Sequence, residues 1–138
     1  MTKELTTKCA IDLLPKLAEW YGYSKFHDTL PYLLIEDSPY SDVDDPDCFG
    51  EYDKDENELI IYWKNIKGID TLYMTMIHEY QHYLQSPAWF TRYYNMGYDY
   101  NTHPYEVQAR KAELNWYRFT RVQYMAENPF KMEIVNIS

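Results

Sequence analysis

A chain of 138 residues with 46% hydrophobic and 18% aromatic side chains can bury a core without disulfide staples, and it is too apolar for a disordered protein. A formal net charge of -9 would repel a phosphate backbone, so nucleic-acid binding is excluded as a first expectation. No apolar stretch reaches membrane-spanning length, and the two cysteines, Cys9 and Cys48, lack CxxC spacing. The expectation is one domain over residues 1–138, soluble, cytoplasmic and without a membrane partner.

In chain order, residues 4–22 carry helical spacing in Leu13, Leu17 and Trp20/Tyr21, with Pro15 predicting a start or a bend. "LPYLLIED" (30–37) reads as a strand. Residues 38–50 form a loop by composition; Asp42, Asp44, Asp45 and Asp47 there lack the glycine and glutamate of an EF-hand, so a solvated acidic loop is expected rather than calcium. "CFGEYD" (48–53) and "ELIIYWKN" (58–65), flanking a polar turn, predict a hairpin.

A helix follows, with Asp70 as the predicted N-cap and Ile69 with Met74 as a hydrophobic staple; Ser86-Pro87 ends it. Residues 87–103 show no clear period and read as a long aromatic loop. A last helix is expected from Pro104 to about Glu127, with Ala109, Ala112, Trp116, Phe119 and Ala126 as its apolar stripe. The fold class that results is α+β.

The chemistry concentrates in "MIHEYQHYLQ" (76–85). Residues four apart share a helix face, so His78 and His82 can direct two imidazoles at one point, half of a tetrahedral zinc shell. Glu79 lies about 100° around the helix, where a carboxylate can reach the open coordination position and take a proton from water. A third ligand must come from downstream. Glu106 in "THPYEVQARKAE" is the first candidate, because Ala109 one turn on allows close helix approach; Glu113 and His103 compete. Glu113 suits orientation of a ligand histidine through its free ring nitrogen. Tyr98, Tyr100 and His103 precede the third ligand and could stabilise an oxyanion, with Tyr100 preferred. Arg110 reads as a charge partner of Glu106 and Glu113.

"HEYQHYLQ" followed by "HPYEVQARKAE" resembles the gluzincin zinc metallopeptidases, in particular their small single-domain members. That resemblance implies a zincin-like fold: an N-terminal helix, a small mostly antiparallel sheet, the HExxH helix and a C-terminal ligand-bearing helix. It further implies one Zn2+ held by His78, His82 and Glu106, Glu79 as general base, and a peptide or protein substrate. It places a strand beside the cleft, to which an extended peptide adds, and "ELIIYWKN" is the candidate. The chain is too short for the second subdomain of large members. A second expectation stays open, a zinc-stabilised binding module that turns nothing over, or a latent form with 128–138 lying in the cleft.

Overall fold

A computed structural model of the chain describes residues 1–38 and 48–120. Expectations for the acidic residues Asp42 to Asp47, for Ala126 and Glu127 and for 128–138 lie outside the described residues. The α+β class holds: the described residues form four helices and a three-stranded sheet. No helix among the described residues is long and apolar enough to cross a membrane.

Helix α1 spans Lys3–Tyr21 and continues through Pro15, so it does not start there. The Thr2 hydroxyl caps it by accepting from the Leu5 N–H. Proline is tolerated because Pro15 and Ile11 both lie on the exposed side, where water can bond the carbonyl left without an N–H partner. Leu13 and Leu17 are buried as their spacing predicts, whereas Trp20 is largely exposed.

Strands β1 (Tyr32–Glu36), β2 (Gly50–Asp53) and β3 (Glu58–Tyr62) form a sheet in the order β1-β3-β2. The expected hairpin is present, with β2 antiparallel to β3. The mostly antiparallel expectation is corrected, since β1 pairs parallel to β3. More consequentially, β3 is the central strand, paired on both sides. Its backbone groups are used in the two ladders, so residues 58–65 cannot receive an added peptide strand. The unpaired edge on the far side of the hairpin belongs to β2.

Alternation places Leu59 and Ile61 on the helix side of the sheet, fully buried. They pack with Ala10, Leu13 and Leu17 of α1 and with Leu72, Met76 and Ile77 of helix α2, Ile69–Leu84. Gly50 shares that side. A β-carbon there would lie 2.7 Å from the Ile60 carbonyl oxygen and 2.7 Å from Thr75 Cγ2. The Thr75 side chain is pinned by its hydroxyl bond to Thr71 O, so it cannot step aside freely. Gly50→Ala is therefore expected to destabilise the protein by about 1–3 kcal/mol through overpacking. A lower urea midpoint at unchanged slope would report this; a variant as stable as wild type would mean the strand can lift off α2 at no cost.

Helix α2 begins at Ile69, so the N-cap is Gly68 and not Asp70. Asp70 instead sits in the first turn, where its charge still favours the helix N-terminus. Ile69 remains partly exposed, and no staple forms as drawn. Residues 87–103 are not a single loop: Pro87–Asn95 is a nine-residue helix, α3, capped by the Ser86 hydroxyl on the Trp89 N–H. The Ser-Pro pair that ends α2 also starts α3. Helix α4 spans Pro104–Glu113 and closes with backbone bonds from Leu114 and Asn115 back to Lys111 and Ala112, three residues earlier. It therefore stops short of the length expected, and Trp116 and Phe119 sit in a separate 3-10 turn.

Candidate metal centre

Helix α2 carries the motif and helix α4 lies against it, with Ala109 fully buried between them. This close approach brings one ligand atom each from His78, His82 and Glu106 within 4.8 Å of one another. His82 Nε2 lies 2.7 Å from Glu106 Oε1, and His78 Nε2 lies 3.3 Å from Glu106 Oε2. Glu106 is only 3% exposed, and its Oε2 makes no hydrogen bond. A buried carboxylate oxygen without a donor is costly unless a cation faces it.

Both imidazoles are oriented from behind. Glu113 Oε1 lies 2.9 Å from His78 Nδ1, the bracing role anticipated for it. Gln85 does the same for His82, with Oε1 2.7 Å from Nδ1. The Gln85 amide nitrogen donates to Tyr105 O and Gln108 Oε1, both at 3.1 Å, so one side chain ties a ligand histidine to the helix that carries Glu106. Gln85 was not anticipated from sequence, although its position three residues after His82 places it on a neighbouring helix row. With both Nδ1 atoms facing acceptors, each Nε2 is left to face the Glu106 carboxylate. Two imidazole nitrogens and a buried carboxylate, converging on one point, form a donor set that could hold a metal ion.

The charges agree with that reading. Burial alone would raise the Glu106 pKa, yet the facing His78 and His82 hold it down at about 2. Burial alone would lower both histidines, but the carboxylates of Glu106 and Glu113 raise His78 to about 10, and Glu106 with Glu79 raises His82. The centre already gathers positive charge between these groups, in the form of protons that a metal ion would displace. Glu79 behaves differently. Burial pushes its carboxyl up to about 7 against the opposing pull of His82 and His78. It is 9% exposed and has no hydrogen-bond partner among the described residues, so nothing but the cleft claims it.

That cleft encloses about 660 Å³ between β2 and the α2–α3 wall. His78, Glu79, His82, Glu106 and Glu113 all line it, as does Tyr100 from the rim. Tyr98 and His103 do not. His103 is instead the N-cap of α4: Nδ1 accepts from the Tyr105 N–H, and Nε2 donates to the Phe90 carbonyl. With both ring nitrogens engaged in holding α4 against α3, it is not a third ligand. Arg110 is also reassigned. It makes no ion pair with Glu106 or Glu113; its guanidinium donates to the Tyr100 and Asn101 carbonyls at 3.2 and 2.6 Å and stacks 5.3 Å from the Tyr100 ring centre. Its work is to hold the rim tyrosine in place.

Compared with known protein families, with curated proteins and with solved structures, the chain shows no significant match to any of them.

Proposed function

We propose that the protein is a zinc-dependent peptidase of the gluzincin type, with His78, His82 and Glu106 as ligands and Glu79 as general base. The observation that carries this reading is the convergence of two braced histidines and a buried glutamate at a cleft that also holds an unpartnered carboxylate. Two imidazoles with a carboxylate suit zinc among the available divalent ions. The order of N-terminal helix, small sheet, motif helix and ligand helix supports a zincin-like fold. Cys9 and Cys48 form no disulfide among the described residues, which suits a reducing, cytoplasmic setting.

Bound zinc supplies Lewis acidity toward a carbonyl oxygen and toward water. The protein's own groups do the rest. Glu79 removes a proton from water as its oxygen attacks the peptide carbonyl, then delivers that proton to the amide nitrogen as the C–N bond breaks. Tyr100 donates its hydroxyl hydrogen to the carbonyl oxygen as negative charge develops there. An extended peptide is positioned by adding to the free edge of β2.

The alternative, a zinc-stabilised binding module, calls for a fourth protein ligand or a filled groove. Among the described residues the candidate cluster has three members and lies at a cleft that the 87–103 segment borders without plugging, which supports the enzyme reading; residues 128–138 lie outside them. Elemental analysis of purified protein should return close to one zinc per chain. A mixed peptide library followed by mass spectrometry should show cleavage that a chelator abolishes and added zinc restores. Absence of zinc after reconstitution sinks the proposal; stoichiometric zinc without cleavage of any library transfers it to the binding module.

A further inference from the structure

We propose that the cleft selects cationic peptides, with Glu51 and Asp53 of β2 as the residues that determine this specificity. The proposal rests on the peptidase reading above and names the substrate class of that site. Six carboxylates line the cleft, from Glu51, Asp53, Asp55, Glu79, Glu106 and Glu113, against one lysine, Lys54, and the two histidines of the metal centre, His78 and His82. The Lys54 ammonium lies over the Phe90 ring, 5.9 Å from its centre, at the α3 end. A bound metal ion offsets charge at the histidine wall. It leaves the β2 wall as it is, because Glu51, Asp53 and Asp55 have no Lys or Arg ion pair among the described residues.

The β2 carboxylates are placed rather than merely present. Glu51 Oε2 accepts from the Tyr62 hydroxyl at 3.0 Å, which fixes the group while Oε1 stays without a partner among the described residues. Asp53 Oδ1 accepts from the Asp55 and Glu56 N–H groups, and Oδ2 is left in the same condition. Two residues apart on a strand, both point to the same face of β2, and the register sets Glu58 beside Asp53 on that face. A peptide added to the β2 edge presents every second side chain to this face, where opposite charges attract and like charges repel. Its other side chains fall on the face of Gly50 and Tyr52, which carries no charge from β2. The same cleft holds Glu79, at 9% exposure and without a hydrogen-bond partner among the described residues.

The test uses zinc-loaded Glu79→Gln protein, which leaves a bound peptide intact, and two labelled decapeptides followed by fluorescence anisotropy. One carries Lys at alternate positions and the other carries Glu there. The Lys peptide should bind about tenfold or more tightly than the Glu peptide, as two cross-strand charge pairs of either sign imply, and the difference should shrink as salt is added. Adding Glu51→Gln with Asp53→Asn should erase most of that preference at unchanged zinc content. Adding Glu4→Gln with Asp12→Asn on the exposed side of α1 removes the same net charge and should leave the preference in place. Equal affinity for the two peptides would overturn the inference while leaving the peptidase reading intact. So would a preference that survives the β2 changes or falls equally in the α1 control. Binding of neither peptide would remove both.

Discussion

Glu79→Gln protein is expected to keep its zinc and its melting temperature while losing about 10²–10⁴-fold in kcat/KM. The fold does not depend on the Glu79 charge. The side chain is nearly buried, accepts no hydrogen bond among the described residues, and has a carboxyl pushed up to about 7 by that burial. Glutamine keeps the volume and removes only the capacity to take a proton. Zinc content, thermal unfolding and library hydrolysis on one preparation check the three parts together. A variant that cleaves as fast as wild type would assign the activity to a contaminant or another base. One that loses zinc in parallel would make Glu79 structural.

Glu106→Ala should be the most damaging change for metal binding. It removes one of the three candidate ligand atoms and leaves two imidazoles facing a cavity in which water cannot supply the lost negative charge. Glu113→Ala removes only the brace on His78 Nδ1, for which a loss of about 10–100-fold in affinity is the usual scale. His103→Ala should leave zinc affinity unchanged and cost about 1 kcal/mol of stability, because its ring nitrogen serves as the α4 cap. Zinc titration with a competing chelator across the three variants gives the ranking. If Glu113→Ala or His103→Ala loses more metal than Glu106→Ala, the ligand assignment is wrong.

The centre was legible where chemistry and period coincide within a few residues. His78, Glu79 and His82 lie on one helix, so their relative placement follows from helical geometry alone, and Ala109 marked where a second helix could come close. The bracing role of Glu113 followed from the need to orient a histidine from behind. What was not legible depends on pairings between distant segments. Hairpin signals can join β2 to β3, but nothing local says that β1 returns parallel on the other side of β3 and makes it central. The sheet edge was therefore expected at β3, one strand away from β2, where it lies. Helix α3 was hidden in the same way. None of its residues is buried in the core; its aromatic face of Phe90, Tyr93 and Tyr94 lies against His82 and His103 instead, a pairing between distant segments, so only the Ser86-Pro87 pair announces it locally. Gly68 took the cap from Asp70 because the capping residue is set by where the chain leaves extended geometry, which side-chain preference alone does not fix.

One residue joins two of these parts mechanically. Gln85 is the C-cap of α2 and Ser86 the N-cap of α3, so the helices meet with no connecting residue between their caps. Phe90, one turn into α3, lies against the His82 ring at 5.3 Å between centres and also lines the cleft. A ligand that displaced α3 would have to turn it about the same residue whose side chain aims His82. If the centre takes a metal ion and the cleft a peptide, any coupling through that junction would be reciprocal: whatever factor the peptide applied to the affinity for the ion, the ion would apply to the affinity for the peptide.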